Sequence, residues 1–269
     1  MSVAQNGEIR VVPYDPRWPQ LFEAERRVIE DALGEEALLV EHVGSTSVPG
    51  LVAKPKIDIV AVACDLKRTI TALEGVGYTY QGEWNIPLKA AFTKREGTDV
   101  NLHVFFDIDH PEVELNIRFR DYLRGHAEVR EAYANLKKEL LKDPTSQEIP
   151  DEFPLYTLRK GPFIESILRE MGYSRLRVLK ANTDEQWEAV ARFRARSCPE
   201  RKLEREKHEH FVLYRGVEIV GYADLSLQSS TESRVEVFVV DDAVNHEEAV
   251  AYFEGLIAEW RAIRADSGQ

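Results

Sequence analysis

The residues best suited to chemistry lie between Gly44 and Asp58, where a small polar loop separates two apolar runs. Glycine lets backbone amides approach a phosphate closely, and Ser45, Thr46 and Ser47 add hydroxyl groups. Asp58 stands at the start of the second apolar run, and a carboxylate beside a phosphate suits Mg²⁺ or Mn²⁺. The pattern predicts a phosphate site with a divalent metal. The structural alternative is a tight surface turn between two core strands.

Two histidines are further candidates for this site. The run from Val100 to Phe106 alternates, with Val100, Leu102, Val104 and Phe106 on one face and Asn101, His103 and Phe105 on the other. His103, on the second of these faces, is a candidate metal ligand or general base. A single metal held by Asp58, His103 and His42 is chemically reasonable, because imidazole suits Zn²⁺ or Mn²⁺ better than Mg²⁺. The alternative is that both histidines are hydrogen-bonded residues at strand ends.

Three basic residues are predicted to face the phosphate, namely Lys54, Arg118 and Lys160. Arg118 and Arg120 are two residues apart on a predicted helix, so only one of them can face a given pocket. An arginine there would hold a phosphate through two parallel hydrogen bonds. The alternative for Arg118 is a surface salt bridge to Glu114 or Asp121.

Several separated motifs resemble one known family in the same order along the chain. The stretch HVGSTSVPGL…KPKIDI, FRDYLR at 119–124 and the ending Tyr156…Lys160-x-x-Phe163-Ile164 resemble the GrpB family, also called UPF0157. The resemblance covers about residues 9–172. That family is similar to a branch of the nucleotidyltransferase fold, in which a Gly-Ser pair precedes a strand bearing Asp-x-Asp/Glu and a later strand bears a third acid. The resemblance implies a nucleotide or phosphorylated small molecule as partner, with Asp58 and His103 as catalytic residues. The family topology would make the run from Val100 to Phe106 the third strand of the site and bring His103 towards Asp58.

The sequence departs from that pattern at two positions. Val60 stands where the second acid is expected, and His103 or Asn101 takes the place of the third. Two-metal phosphoryl transfer uses carboxylates to bridge ions that lie about 3.5–4 Å apart. One aspartate and one histidine would not do that well. A non-catalytic interaction module that keeps the fold is therefore the second hypothesis.

The composition limits the classes of partner and compartment. The 269 residues carry a net charge of −12, and the chain is acidic on both sides of Tyr173. Non-specific nucleic-acid binding and anionic membrane surfaces are disfavoured, because both need basic surface. Cys64 and Cys198 form neither a disulfide framework nor a zinc spacing. With no signal pattern and no apolar run long enough for a membrane helix, the expected location is the cytoplasm.

The predicted organisation is an α+β protein of two domains, 1–172 and 173–269. The first is expected to hold a nucleotidyltransferase-like mixed sheet with helices. The second has the order β-α-β-β-β-α and resembles the first part of the GNAT acetyltransferase fold. Its loop Asp241–Glu248 lacks glycine and is acidic, so coenzyme A binding and acetyl transfer are not expected. The second domain is thus expected to be incomplete, and a homodimer is one way to cover its sheet edge.

Element boundaries follow from caps and periodicity. Asp15-Pro16 is predicted to open a helix that ends at Gly34, and Asp65 to cap a second helix. Asn245 and Glu248 are predicted to form a capping box at the start of the last helix. Short strands are expected at 9–12 and 78–80, a hairpin at 90–94 and 100–106, helices at 111–123, 127–141 and 156–171, and second-domain strands at 176–179, 211–214, 218–226 and 235–240.

Overall fold

The computed structural model describes residues 8–83, 86–149, 154–173, 175–181, 184–197, 199, 208–215, 218–227, 233–241 and 244–267. The chain divides into two compact units. The first comprises Met1–Trp84 and Lys89–Ile164, and the second comprises Asn85–Leu88 and Glu165–Gln269. The predicted domains 1–172 and 173–269 stay a prediction. Together the two sheets make an α+β protein.

A five-stranded mixed sheet forms the centre of the first unit, in the order β1-β2-β5-β4-β3. Its middle pair, β2 and β5, runs parallel, and every other neighbouring pair is antiparallel. The parallel pairing puts the first residues of β2 and β5 side by side. The strands are β1 (Ala37–Val43), β2 (Ile57–Ala63), β3 (Thr79–Tyr80), β4 (Lys89–Lys94) and β5 (Val100–Phe105).

The helices of the first unit begin and end where local chemistry favours it. Asp65 accepts a hydrogen bond from the backbone N–H of Arg68 at 2.7 Å, which confirms the predicted cap of the second helix. Gly34 ends the first helix with φ +57°, a conformation that favours glycine. The helices are α1 (Trp18–Leu33), α2 (Leu66–Glu74), α3 (Pro111–Gly125), α4 (Ala127–Leu140), α5 (Leu155–Leu158) and α6 (Gly161–Glu170), the last of which crosses into the second unit.

The two faces of this sheet have different characters. One face is apolar, because Ile59, Ala61, Leu102 and Val104 pack with residues of α1 in one buried cluster. Since side chains alternate along a strand, Asp58, Val60, Asn101 and His103 lie on the other face. The predicted alternation along β5 is confirmed. The alternation places the polar candidates Asp58, Asn101 and His103 on one side of the sheet.

The second unit contains a four-stranded antiparallel sheet, in the order β6-β7-β8-β9, together with helices. The predicted element order is confirmed. Leu88 is buried in the same cluster as Phe211 and Trp260, so a short segment from the middle of the chain belongs to this core. The elements are β6 (Leu176–Lys180), α7 (Asp184–Ser197), β7 (His208–Arg215), β8 (Glu218–Leu227), β9 (Ser233–Val240) and α8 (His246–Ser267).

Two local predictions need correction. Helix α1 begins at Trp18 rather than at Pro16, because the Asp15 side chain bonds the backbone N–H of Arg17 and holds a turn there. The strand expected at 9–12 is a single bridge between Val12 and Ala53. Cys198, Asp242, Ala243 and the Glu248 side chain of the proposed capping box lie outside the described residues. No helix in the described part of the chain is long and apolar enough to cross a membrane.

Candidate functional site

The loop after β1 packs directly against Asp58 of β2. Gly44 has φ +68°, and a Cβ added to it would lie 2.5 Å from the Asp58 Oδ2 atom. Only glycine fits this close approach of backbone to carboxylate. Ser45 to Ser47 then form one turn of 3-10 helix, in which the Ser47 hydroxyl donates to the Gly44 carbonyl at 2.6 Å. The predicted juxtaposition of loop and acid is present in the structure.

Asn101, rather than His103, is the partner of Asp58 on β5. The parallel register places Asp58 beside Asn101, and Val60 beside His103. The Asn101 amide donates to Asp58 Oδ1 at 2.9 Å, and its oxygen accepts from Arg95 at 2.9 Å. Arg95 therefore fixes the orientation of the amide. Burial raises the pKa of Asp58, and the Asn101 hydrogen bond opposes that rise.

His103 lies one pleat further along the strand, away from the loop. Burial lowers the pKa of His103 to about 3, and the neighbouring Lys89 adds to that effect. The imidazole is thus neutral at physiological pH. The prediction that this strand brings His103 towards Asp58 is met only in that both lie on one face of the sheet, because the side chain level with Asp58 on β5 is Asn101.

Two of the three predicted phosphate-facing cations, Lys54 and Lys160, lie near Asp58. Each places its Nζ atom 4.8 Å from the centre of the Tyr156 ring. Burial lowers the pKa of Lys54 to about 8, and repulsion from Lys160 and Lys56 lowers it further. Burial also lowers the pKa of Lys160, while Asp58 raises it. The pair forms a small basic region in an acidic protein.

A third lysine, Lys137 of α4, was not predicted. It is only 2% exposed, and its Nζ lies 2.7 Å from Ser45 Oγ and donates to the Val52 carbonyl at 2.8 Å. Burial lowers the pKa of Lys137 to about 6. The available signal was its i, i+4 spacing from buried Tyr133, whose ring centre lies 4.4 Å from Nζ. That spacing alone does not distinguish it from an exposed lysine at the edge of the helix.

His42 does not reach Asp58. Its ring stacks on Phe22 of α1, with centroids 4.8 Å apart, and its Nε2 lies 3.0 Å from the Thr46 hydroxyl. In the antiparallel register His42 pairs with Ile59, so it projects from the apolar face of the sheet. Burial lowers the pKa of His42 to about 4, with Arg124 and Arg120 adding to the effect. His42 is therefore a hydrogen-bonded histidine near the end of a strand, as the alternative interpretation predicted.

The FRDYLR segment on α3 anchors the loop instead of offering a free cation. Arg118 is exposed and pairs with Glu114 at 2.7 Å, as the structural alternative had it. Arg120 is buried and donates to Glu41 at 2.6 Å and to the His42 carbonyl at 2.9 Å. Arg124 donates to the Ser47 carbonyl at 2.8 and 3.1 Å. These bonds attach β1 and the loop to the helix.

The predicted metal ligands Asp58, His103 and His42 are not brought together. Among the described residues, no group of three or more His, Cys, Asp or Glu side chains is placed to hold a metal ion. A divalent ion at this loop would depend on Asp58 and on oxygen atoms of the ligand itself. The metal stays a prediction.

Comparisons with known proteins place the first unit in a family. The sequence model described as "GrpB protein" matches residues 8–170. UPF0157 protein BH1888 of Halalkalibacterium halodurans is 45% identical over 141 residues, which are 50% of this chain and 70% of that protein. UPF0157 protein PA4798 of Pseudomonas aeruginosa is 35% identical over 175 residues, which are 62% of this chain and 69% of that protein.

A solved structure shares the fold of this region. The crystal structure of conserved protein GrpB from Enterococcus faecalis superposes with a TM-score of 0.52 at 33% identity. The match covers 60% of this chain and 96% of that one. Both the loop and the lysines described above fall within the region that the family model matches.

Proposed function

The chain belongs to the GrpB family, and we propose that its first unit binds the phosphate group of a small phosphorylated molecule, with nucleotides as the candidate class. The observation that carries this proposal is the pair Lys54 and Lys160, whose charges interact with Asp58, the carboxylate that packs against Gly44. Both ammonium groups have pKa values lowered by burial, and Lys54 also by its basic neighbours. A bound anion would relieve that repulsion and favour the charged form of each lysine.

The loop supports this proposal on geometric grounds. Gly44 is exposed and lacks a side chain that would block a ligand, while the Ser45 side chain is half-buried at the same edge. A dianionic phosphate would thus meet two ammonium groups and a hydroxyl in a partly desolvated place. Charge-assisted hydrogen bonds of this kind are about twice as strong as neutral ones. Asp58 then has the role of orienting the loop and of accepting a cation that accompanies the ligand.

Binding is better supported than metal-dependent nucleotidyl transfer. Val60 is fully buried at the position of the expected second acid, and Asn101 occupies the third. Asp58 is therefore the only carboxylate among the three positions at which the nucleotidyltransferase pattern expects an acid. Two-metal catalysis draws on several carboxylates to hold both ions. We therefore propose that the nucleotidyltransferase-like fold holds a phosphate-binding site rather than a site of nucleotidyl transfer.

The test is a calorimetric titration of nucleoside triphosphates and the matching nucleosides, with and without Mg²⁺. We expect saturable binding of the phosphorylated compounds alone. Lys160→Met should weaken it by about 1.5–3 kcal/mol, the range for a hydrogen bond to a charged group, or roughly tenfold to a hundredfold in Kd. Lys138→Met is the matched control, because Lys138 is exposed on α4.

Either of two outcomes would count against phosphate binding. The first is equal heat from nucleosides and nucleotides, and the second is a nucleotide affinity that Lys160→Met leaves unchanged. Absence of binding by every compound would favour the non-catalytic interaction module instead.

A further inference from the structure

We infer that Ser45 and Lys137 form a nucleophile–base pair that accepts a phosphoryl group from a bound phosphate ester. The inference rests on the proposed phosphate site and names what that site would do. Its basis is the contact of 2.7 Å between Lys137 Nζ and Ser45 Oγ, across 92 residues of sequence. A serine hydroxyl is a weak nucleophile unless a neighbouring base removes its proton, and lysine is one of the bases that serve serine in this way.

Lys137 is placed as a base rather than as a ligand-binding cation. Lys137 is 2% exposed and contacts Ser45 through its Nζ atom, whereas Ser45 is half-buried. One N–H of Lys137 donates to the Val52 carbonyl at 2.8 Å, which fixes the direction of the amine. When the amine is neutral, its lone pair is left to accept the proton of Ser45. The nucleophile therefore lies nearer the solvent, and the base is enclosed.

The electrostatics of the pair favour the neutral amine. Burial is the main cause that lowers the pKa of Lys137 to about 6, with the charge of Lys160 adding to it and Asp58 opposing it. A general base works best when its pKa lies near the operating pH. The groups that face this amine are Ser45 from the loop, Tyr133 from its own helix, Lys160 before α6 and Asp58 from β2.

The step balances without a co-reactant. Ser45 Oγ forms a bond to phosphorus while the bond between phosphorus and the ester oxygen breaks. The Ser45 proton passes to Lys137 Nζ. The departing alcohol oxygen takes up a proton from solvent water, to which Lys137 in turn releases the proton that it accepted. Lys54 and Lys160, whose charges interact with Asp58, would stabilise the charge of the transferred group. The products are phosphoserine at position 45 and a free alcohol.

The test uses p-nitrophenyl phosphate with the full chain. We expect release of nitrophenolate, and a single phosphoryl group on Ser45 in acid-quenched protein analysed by mass spectrometry and peptide mapping. Ser45→Ala should abolish both signals. Lys137→Met should slow release by about 10²- to 10⁴-fold, the usual contribution of a general base, while Lys138→Met on the exposed side of α4 should not.

The pH profile separates a base from a structural contact. The second-order rate of release should fall by roughly tenfold per pH unit below about pH 6, because protonated Lys137 cannot accept the Ser45 proton. This measurement on the wild-type chain does not depend on whether Lys137→Met folds. A rate that is flat across this range would contradict the role of Lys137.

The outcomes keep the two proposals apart. Binding of nucleotides without any phosphoryl transfer from p-nitrophenyl phosphate would overturn the Ser45–Lys137 pair and leave the phosphate site standing. Release that persists in Ser45→Ala would also overturn it. If the protein neither binds nucleotides nor releases nitrophenolate, both proposals are overturned.

Discussion

At the scale of single residues, the site depends on one glycine. Gly44 combines φ +68° with contact to Asp58, so any side chain there meets both backbone strain and a clash. The same contact holds the loop directly against the Asp58 carboxylate. A substitution at Gly44 therefore tests the geometry of the loop directly.

We predict that Gly44→Ala lowers the free energy of unfolding by about 2–5 kcal/mol, since strain of about 1–2 kcal/mol adds to displacement of Asp58. Gly97→Ala is the matched control, because Gly97 has φ +75° but no atom within 4 Å of an added Cβ. Urea denaturation of both variants measures the difference. Equal losses of stability in the two variants would mean that Asp58 does not pack against Gly44.

Residue types located the loop and Asp58 but not the partners of Asp58. The alternating pattern of β5 placed Asn101 and His103 on one face, but no local pattern determines which of the two is level with Asp58. That choice depends on the register of β2 with β5, whose paired residues are far apart along the chain. Lys137 was missed for a related reason, because the inward face of α4 is decided by packing.

At the scale of elements, α3 holds β1 and the loop through arginines. Arg120 has a side chain that is 9% exposed and bonds Glu41 and the His42 carbonyl of β1 in addition to Asp121 of its own helix. Arg118 has a side chain that is 60% exposed and pairs with Glu114 of its own helix. Burial strengthens such bonds and makes their loss costly. Exposed pairs within a helix contribute little.

Arg120→Met should therefore lower the free energy of unfolding by about 1–3 kcal/mol, whereas Arg118→Met should change it by less than about 0.5 kcal/mol. Both variants keep the aliphatic part of the side chain. Thermal and urea unfolding would measure the two values. Similar effects for the two positions would contradict the assignment of Arg120 as the anchor.

Element types were largely predictable, because caps and periodicity are local. The hairpin of β4 and β5 and the cap at Asp65 both follow from a few neighbouring residues. The parallel pairing of β2 with β5 is not local, and it is this pairing that completes the site.

At the scale of the whole molecule, a basic site stands in an acidic protein. The net charge of −12 repels anions at long range, so affinity for phosphate must come from the lysines close to the ligand. These lysines belong to the first unit, as does the loop. Three expectations for the second unit stay predictions. They are its resemblance to GNAT proteins, the expectation that it does not bind coenzyme A, and the formation of a homodimer.

The lysines also link phosphate binding to pH. At pH 8 roughly half of the Lys54 side chains are neutral, because the pKa is lowered to about 8. A bound anion favours the ammonium form and raises that pKa. Binding near pH 8 should therefore take up protons from the buffer.

The most direct test of the phosphate site is a calorimetric titration of pyrophosphate at pH 8, in two buffers with different ionisation enthalpies. We predict binding with net proton uptake. Lys54→Met should weaken the binding and reduce the uptake, and Lys138→Met should alter neither. Absence of binding, or binding whose affinity and proton uptake are the same in Lys54→Met as in the wild type, would contradict the phosphate site.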